Sequence, residues 1–216
     1  TVALAVTMLL ALPAALPADK DDKSADSGYE YQGLVPRADV EAGEHQAAET
    51  AALSGLGSAQ RAAALNNRAF WRFFQARFKE ALADLDEAIK LDGQSAYYAN
   101  RGIMHRMLGD WKAARSDYTE ALKIDPNNAY AYNNLGWLML LEAQKLAPGD
   151  QRAEKVREAK KQFRSAVDCQ SDGKGSALLA QVNLAAACIA DGELDAARQS
   201  LAGFKGDRAF PWVRQC

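Results

Sequence analysis

The chain has 216 residues, of which 49% are hydrophobic and 25% charged, with a formal net charge of −2, the composition of an ordinary globular protein. The charge is uneven: residues 19–60 carry three basic and nine acidic side chains, and residues 61–216 carry 23 basic and 19 acidic. That small basic excess is no nucleic-acid footprint, which requires a strong clustered one.

Residues 1–16, TVALAVTMLLALPAAL, are uncharged and almost wholly apolar. A membrane span needs about 20 such residues, and this run is interrupted by Pro13. It reads as the apolar core of a secretory signal, with Ala14, Ala15 and Ala18 as small residues near a cleavage point. Residues 1–18 are therefore expected to be signal-like, with an uncleaved membrane anchor as the alternative. Residues 19–39 are acidic and polar, the composition of a disordered linker. Helical character resumes with VEAGEHQAAETAAL, which predicts a leading helix over about 40–53. It ends at Gly55-Leu56-Gly57, after which Ser58 is expected to cap the next helix.

From there the pattern is helical throughout, in pairs: 58–75 with 78–91, 95–108 with 111–124, 129–146 with 151–169, and 176–190 with 194–204. No stretch has the alternation of a β-strand. An alanine recurs early in each second helix, at Ala81, Ala114, Ala159 and Ala197. Seven residues later stand Ala88, Ala121, Ala166 and Phe204, and twelve residues before three of the anchors stand Ala69, Gly102 and Ala185. Small residues at these points let two helices approach closely, so no large side chain should fit at Gly102. A period of 33 between the first two anchors indicates stacked units that cannot bury their apolar faces alone. In the third unit, eleven extra residues at Leu140–Asp150 predict a longer hairpin with its turn at Pro148-Gly149-Asp150. Its second helix carries Arg152, Lys155, Arg157, Lys160, Lys161 and Arg164, with Glu154 and Glu158 at ion-pair spacing; this reads as a solvated face, with a docking surface as the alternative.

The second unit, with Tyr98, Gly102, Gly109, Asp110, Trp111, Ala114, Tyr118, Ala121 and Pro126, resembles the tetratricopeptide repeat. The third opens on Tyr132, Leu135, Gly136 and Trp137 in the same pattern. The first departs from it, with Arg68 for a leucine, Arg72 for an aromatic and Gly93 for the proline; the fourth is degenerate, as befits a capping unit. The resemblance covers about residues 62–206, within a repeat domain expected over 58–206. It implies an all-α, right-handed superhelical α-solenoid of about four helix hairpins, the third (129–169) being long, followed by a tail at 207–216.

In that family the first helix of each pair lines a concave groove. Carried onto this sequence, the lining would comprise Asn66, Phe70, Phe73, Phe74, Asn100, Ile103, Arg106, Tyr130, Asn133 and Trp137. The set is aromatic and apolar, with asparagines suited to a peptide backbone. Asn67, Asn100 and Asn134 recur in register. Some family members clamp a terminal carboxylate with lysines, but Asn66, Ala99 and Asn133 occupy the positions such lysines would need.

His45 and His105 are isolated, and no zinc spacing, phosphate loop or serine elbow occurs. The sequence therefore predicts no enzyme, no cofactor and no metal. It predicts an exported protein-interaction module for a partly apolar peptide segment or partner helix, in the periplasm, the extracellular space or an organelle lumen. A permanent structural or assembly subunit of an envelope or lumenal complex is the alternative. Among the three cysteines, Cys188 is read as a buried filler; a Cys169–Cys216 disulfide that pins the tail is one expectation, and a free Cys216 thiol is the alternative.

Overall fold

In the computed structural model, the described residues are 55–169 and 176–201, with Gly43 and His45. The signal-like segment, the linker, the tail and Cys216 lie outside them, and with Cys216 the expected disulfide. Of the leading helix only Gly43 and His45 are described, and both are helical.

Eight α-helices and no strand occur among the described residues: α1 Ser58–Phe74, α2 Phe78–Leu91, α3 Ser95–Met107, α4 Trp111–Ile124, α5 Ala129–Gln144, α6 Asp150–Asp168, α7 Ser176–Ala190 and α8 Leu194–Leu201. They form two compact units that divide between Pro126 and Asn127, each with two hairpins.

In the first unit α1 packs on α2, α2 on α3 and α3 on α4. Apolar residues at helical spacing explain this: Ala62, Leu65 and Ala69 face Phe78, Ala81, Leu85 and Ala88, all buried. The Asp110 carboxylate accepts from the Ala113 amide at 3.0 Å and starts α4. Ser58 does not cap α1 as expected. It is the first helical residue, and Gly57 occupies the cap, its amide donating to the Gln60 side chain at 3.1 Å. The hairpin turn places Ala76 at φ 57°, the left-handed region, where the next hairpin has Gly109 at φ 80°.

In the second unit α5 packs on α6, α6 on α7 and α7 on α8. Asn128 caps α5 by accepting from the Ala131 amide at 2.9 Å. The predicted long hairpin is present: α5 has 16 residues against 13 in α3, and α6 has 19 against 14 in α4.

Both units share one device. A Cβ on Gly102 would lie 2.5 Å from the Tyr118 ring, and one on Gly136 would lie 2.9 Å from the Phe163 ring. Tyr118 and Phe163 are fully buried, each stabilising its hairpin by about 1.5–3 kcal/mol. Glycine is required because the first helix lies directly against an aromatic of the second.

Candidate binding surface

The first unit contains most of the expected lining. From α1, Phe70 is 50% exposed. Its ring meets Phe74 edge-on at 4.8 Å and Trp71 at 5.3 Å, and edge-to-face contact is the favoured arrangement of such rings. Phe73 turns inward and contacts Phe78 at 5.9 Å, which anchors the aromatic cluster in the core. Trp71 is approached so closely by the leading segment that a Cβ on Gly43 would lie 2.3 Å from the indole.

From α3, Ile103 packs half-buried against the core. The Asn100 amide donates to the Asn66 side-chain oxygen at 2.7 Å, linking α1 to α3. Two asparagines bonded this way retain three N–H donors and three carbonyl lone pairs between them, enough to pair with a peptide group. The Arg106 Nε is buried with no hydrogen-bond partner among the described residues, and so is the hydroxyl of Tyr118. Burial pushes the Tyr118 phenol up to about 12, against the opposing pull of the Arg106 charge.

In the second unit the expected residues separate. Tyr130 is 61% exposed at the start of α5, but Trp137 is 8% exposed and belongs to the interior. Trp137 falls inside because α5 is buried along nearly all of Leu135–Leu140. Its place in the lining is therefore corrected. Asn133 accepts from the Asn183 amide at 2.8 Å, repeating the Asn66–Asn100 arrangement.

Sequence reasoning missed the polar stitching of the hairpins. Arg68 donates to both oxygens of Asp84, at 3.0 and 2.5 Å. Arg101, 33 residues on, does the same to Asp117, at 3.0 and 2.7 Å. Such forks fix orientation as well as energy. Arg72 adds a third bond to Asp84 at 2.8 Å, and in its register His105 lies 3.8 Å from Asp117. The recurrence of Arg and Asp at the repeat period was the available signal. On α6 the pairs Arg157–Glu154 and Lys155–Glu158 form as expected, both at 2.6 Å. Lys160 departs from the solvated-face reading: it is 6% exposed and paired with Asp191 and Glu193. Their carboxylates hold its ammonium above the usual lysine range despite burial. Cys188 is buried as expected, and burial pushes its thiol up. Among the described residues, no group of His, Cys, Asp and Glu could hold a metal, and no helix is long and apolar enough to cross a membrane.

Paired helices, a small-residue seam against a buried aromatic and a period of 33 residues define a helical-hairpin repeat protein of the all-α solenoid class. Residues 102–140 of the chain match the family described as TPR repeat. No curated protein matches the chain. Among solved structures it resembles the MamA protein at 14% identity, with a TM-score of 0.54 over 80% of this chain and 89% of that one. It also resembles an IFIT1 monomeric mutant at 17% identity, with a TM-score of 0.58 over 79% of this chain and 41% of that one. The Arabidopsis OM64 TPR domain is 24% identical, with a TM-score of 0.46 over 59% of this chain and 97% of that domain. These likenesses concern the fold.

Proposed function

We propose that the chain is a protein-interaction module and that the α1–α3 face of its first unit accepts a partly apolar peptide segment. The exposed Phe70 beside the Asn66–Asn100 pair carries this reading. The aromatic supplies desolvation energy, the asparagines supply backbone recognition, and Arg106 adds a cation at the C-terminal end of α3. Aromatics and arginine dominate the energetics of protein interfaces. Two solved structures are described as TPR domains of other proteins with HSP90 and HSP70 peptides. Screening the purified full chain against an array of peptides, with Phe70→Ala and Arg106→Gln in parallel, tests the proposal. Selective retention of apolar peptides, weakened by both variants while the helical circular dichroism is kept, supports it. Unchanged retention by both variants refutes this surface.

Export stands with this reading as a proposal, carried by the uncharged run at residues 1–16. Fractionation of cells expressing the full precursor, with the processed N-terminus determined, tests it, and an unprocessed cytosolic chain refutes it.

A further inference from the structure

The insertion that lengthens the hairpin of α5 and α6 does more than extend it. Between the added turns lies a cleft of about 50 Å³ lined by Leu140, Ala143, Gln144, Arg152, Val156 and Ala190. A water needs on the order of 10–15 Å³ of such space, so the cleft has room for several waters or one short aliphatic side chain. Its inner walls are apolar and fixed, since Leu140, Ala143 and Val156 are all buried. At its rim Arg152 is half-buried and makes no hydrogen bond or ion pair with any described residue. Its neighbours differ: Lys155 and Arg157 each have a glutamate, and Lys160 has two carboxylates. Glu154 and Glu158 on the same helix are thus engaged with other cations, and Arg152 borders an apolar cleft without a carboxylate of its own.

We propose that this cleft is a second recognition site in the chain, taking one aliphatic side chain of a partner polypeptide whose next residue is Asp or Glu. The aliphatic group fills the space between Leu140, Ala143 and Val156. The neighbouring carboxylate meets the Arg152 guanidinium, a charge-assisted bond stronger than a neutral one. The site lies wholly within the second unit and uses no residue of the α1–α3 surface, so the two readings fail independently.

The experiment is methyl-detected NMR of the full chain labelled at Ala, Leu and Val, titrated with the peptide acetyl-Ser-Gly-Leu-Asp-Gly-Ser-amide. Two control peptides carry Gly in place of the leucine or Asn in place of the aspartate. The expected result is saturable shifts at the methyls of Ala143 and Val156, about tenfold weaker binding of the Asn peptide and no saturable shift with the Gly peptide. Arg152→Gln should abolish the preference for Asp over Asn while leaving the rest of the methyl spectrum in place. Absence of shifts at millimolar peptide overturns the proposal. So does equal affinity for the Asp and Asn peptides, or a preference that survives Arg152→Gln.

Discussion

The two units solve the same packing problem with different polar chemistry. In each, a glycine of the first helix lies against a buried aromatic of the second, Gly102 on Tyr118 and Gly136 on Phe163. Around that shared contact the first unit ties each hairpin with an Arg–Asp fork, Arg68 to Asp84 and Arg101 to Asp117. At the register of Arg101 and Asp117 the second unit has Leu135 and Gln162, and its buried cation, Lys160, instead reaches the turn after α7. The small-residue seam therefore defines the repeat, while the ion pairs are an elaboration that one unit carries and the other omits. This agrees with the near-neutrality of replacing a buried ion pair by apolar groups of similar volume, as against removing one partner alone.

Removing a single partner is the harshest test of that contrast. Asp84 is 3% exposed and receives both Arg68 and Arg72. Asp84→Ala leaves two guanidinium groups facing an apolar interior and should cost about 2–3 kcal/mol, below the fully buried limit because both arginines retain some solvent contact. The double variant Arg68→Leu with Asp84→Gln, which copies the second unit's chemistry, should recover at least half of that loss. Urea denaturation of the three proteins decides it: a double variant as unstable as Asp84→Ala would mean that the fork is integral to the hairpin.

The seam itself should tolerate less rearrangement. Gly102→Leu and Gly136→Leu each drive a side chain into an aromatic ring and should cost about 1–3 kcal/mol, with Gly102→Leu at the upper end because its contact is the closer, 2.5 against 2.9 Å. Thermal unfolding checks this, and an unchanged midpoint for either variant would remove the seam from the description of the repeat. The turns offer a gentler comparison. Ala76 holds φ 57° where Gly109 holds φ 80°, and a residue with a Cβ pays about 1–2 kcal/mol for that conformation. Ala76→Gly should therefore gain about 0.5–1 kcal/mol, the relief exceeding glycine's extra unfolded-state freedom, and Gly109→Ala should lose about 1 kcal/mol. Opposite signs in the same denaturation experiment are the expected result; equal signs would contradict it.

The fold was legible in the sequence because its determinants are local and periodic. The helix boundaries follow from apolar spacing, and the seam follows from Gly102, Ala114 and Ala121, a small-residue code that stands 33 positions from its copy in the first hairpin. The surface was legible only in part. Phe70 and Tyr130 lie on the outside as a groove reading requires, but whether Trp137 does depends on how completely α5 is covered, and the buried stretch Leu135–Leu140 has no polar face to orient it. The asparagines of α1 and α3 could be placed in register, yet that Asn100 bonds Asn66 depends on side-chain reach between neighbouring helices. Arg68 read as a departure from the repeat pattern because its partner, Asp84, lies sixteen residues on in the facing helix.

The smallest expected effect separates Tyr118 from its counterpart Phe163, which differs by one hydroxyl. That hydroxyl is buried without a well-formed hydrogen bond, and the pull of the neighbouring Arg106 guanidinium is weaker than its desolvation. Tyr118→Phe should leave stability at neutral pH unchanged or raise it by up to about 1 kcal/mol. At alkaline pH the sign is set by linkage. The folded phenol titrates at about 12 against an ordinary value of 10.0, so between these values the native state retains a proton that the unfolded state has lost. Stability from this group is complete below pH 10.0 and is lost as pH rises through the folded value. The variant should show a shallower decline over that interval, and the difference between the two denaturation series isolates Tyr118 from the lysines and other tyrosines that titrate alongside it. Parallel declines would mean that the phenol ionises as readily in the native state as in the unfolded chain, and that the aromatic seam of the first unit is open to water where that of the second, closed by Phe163, is not.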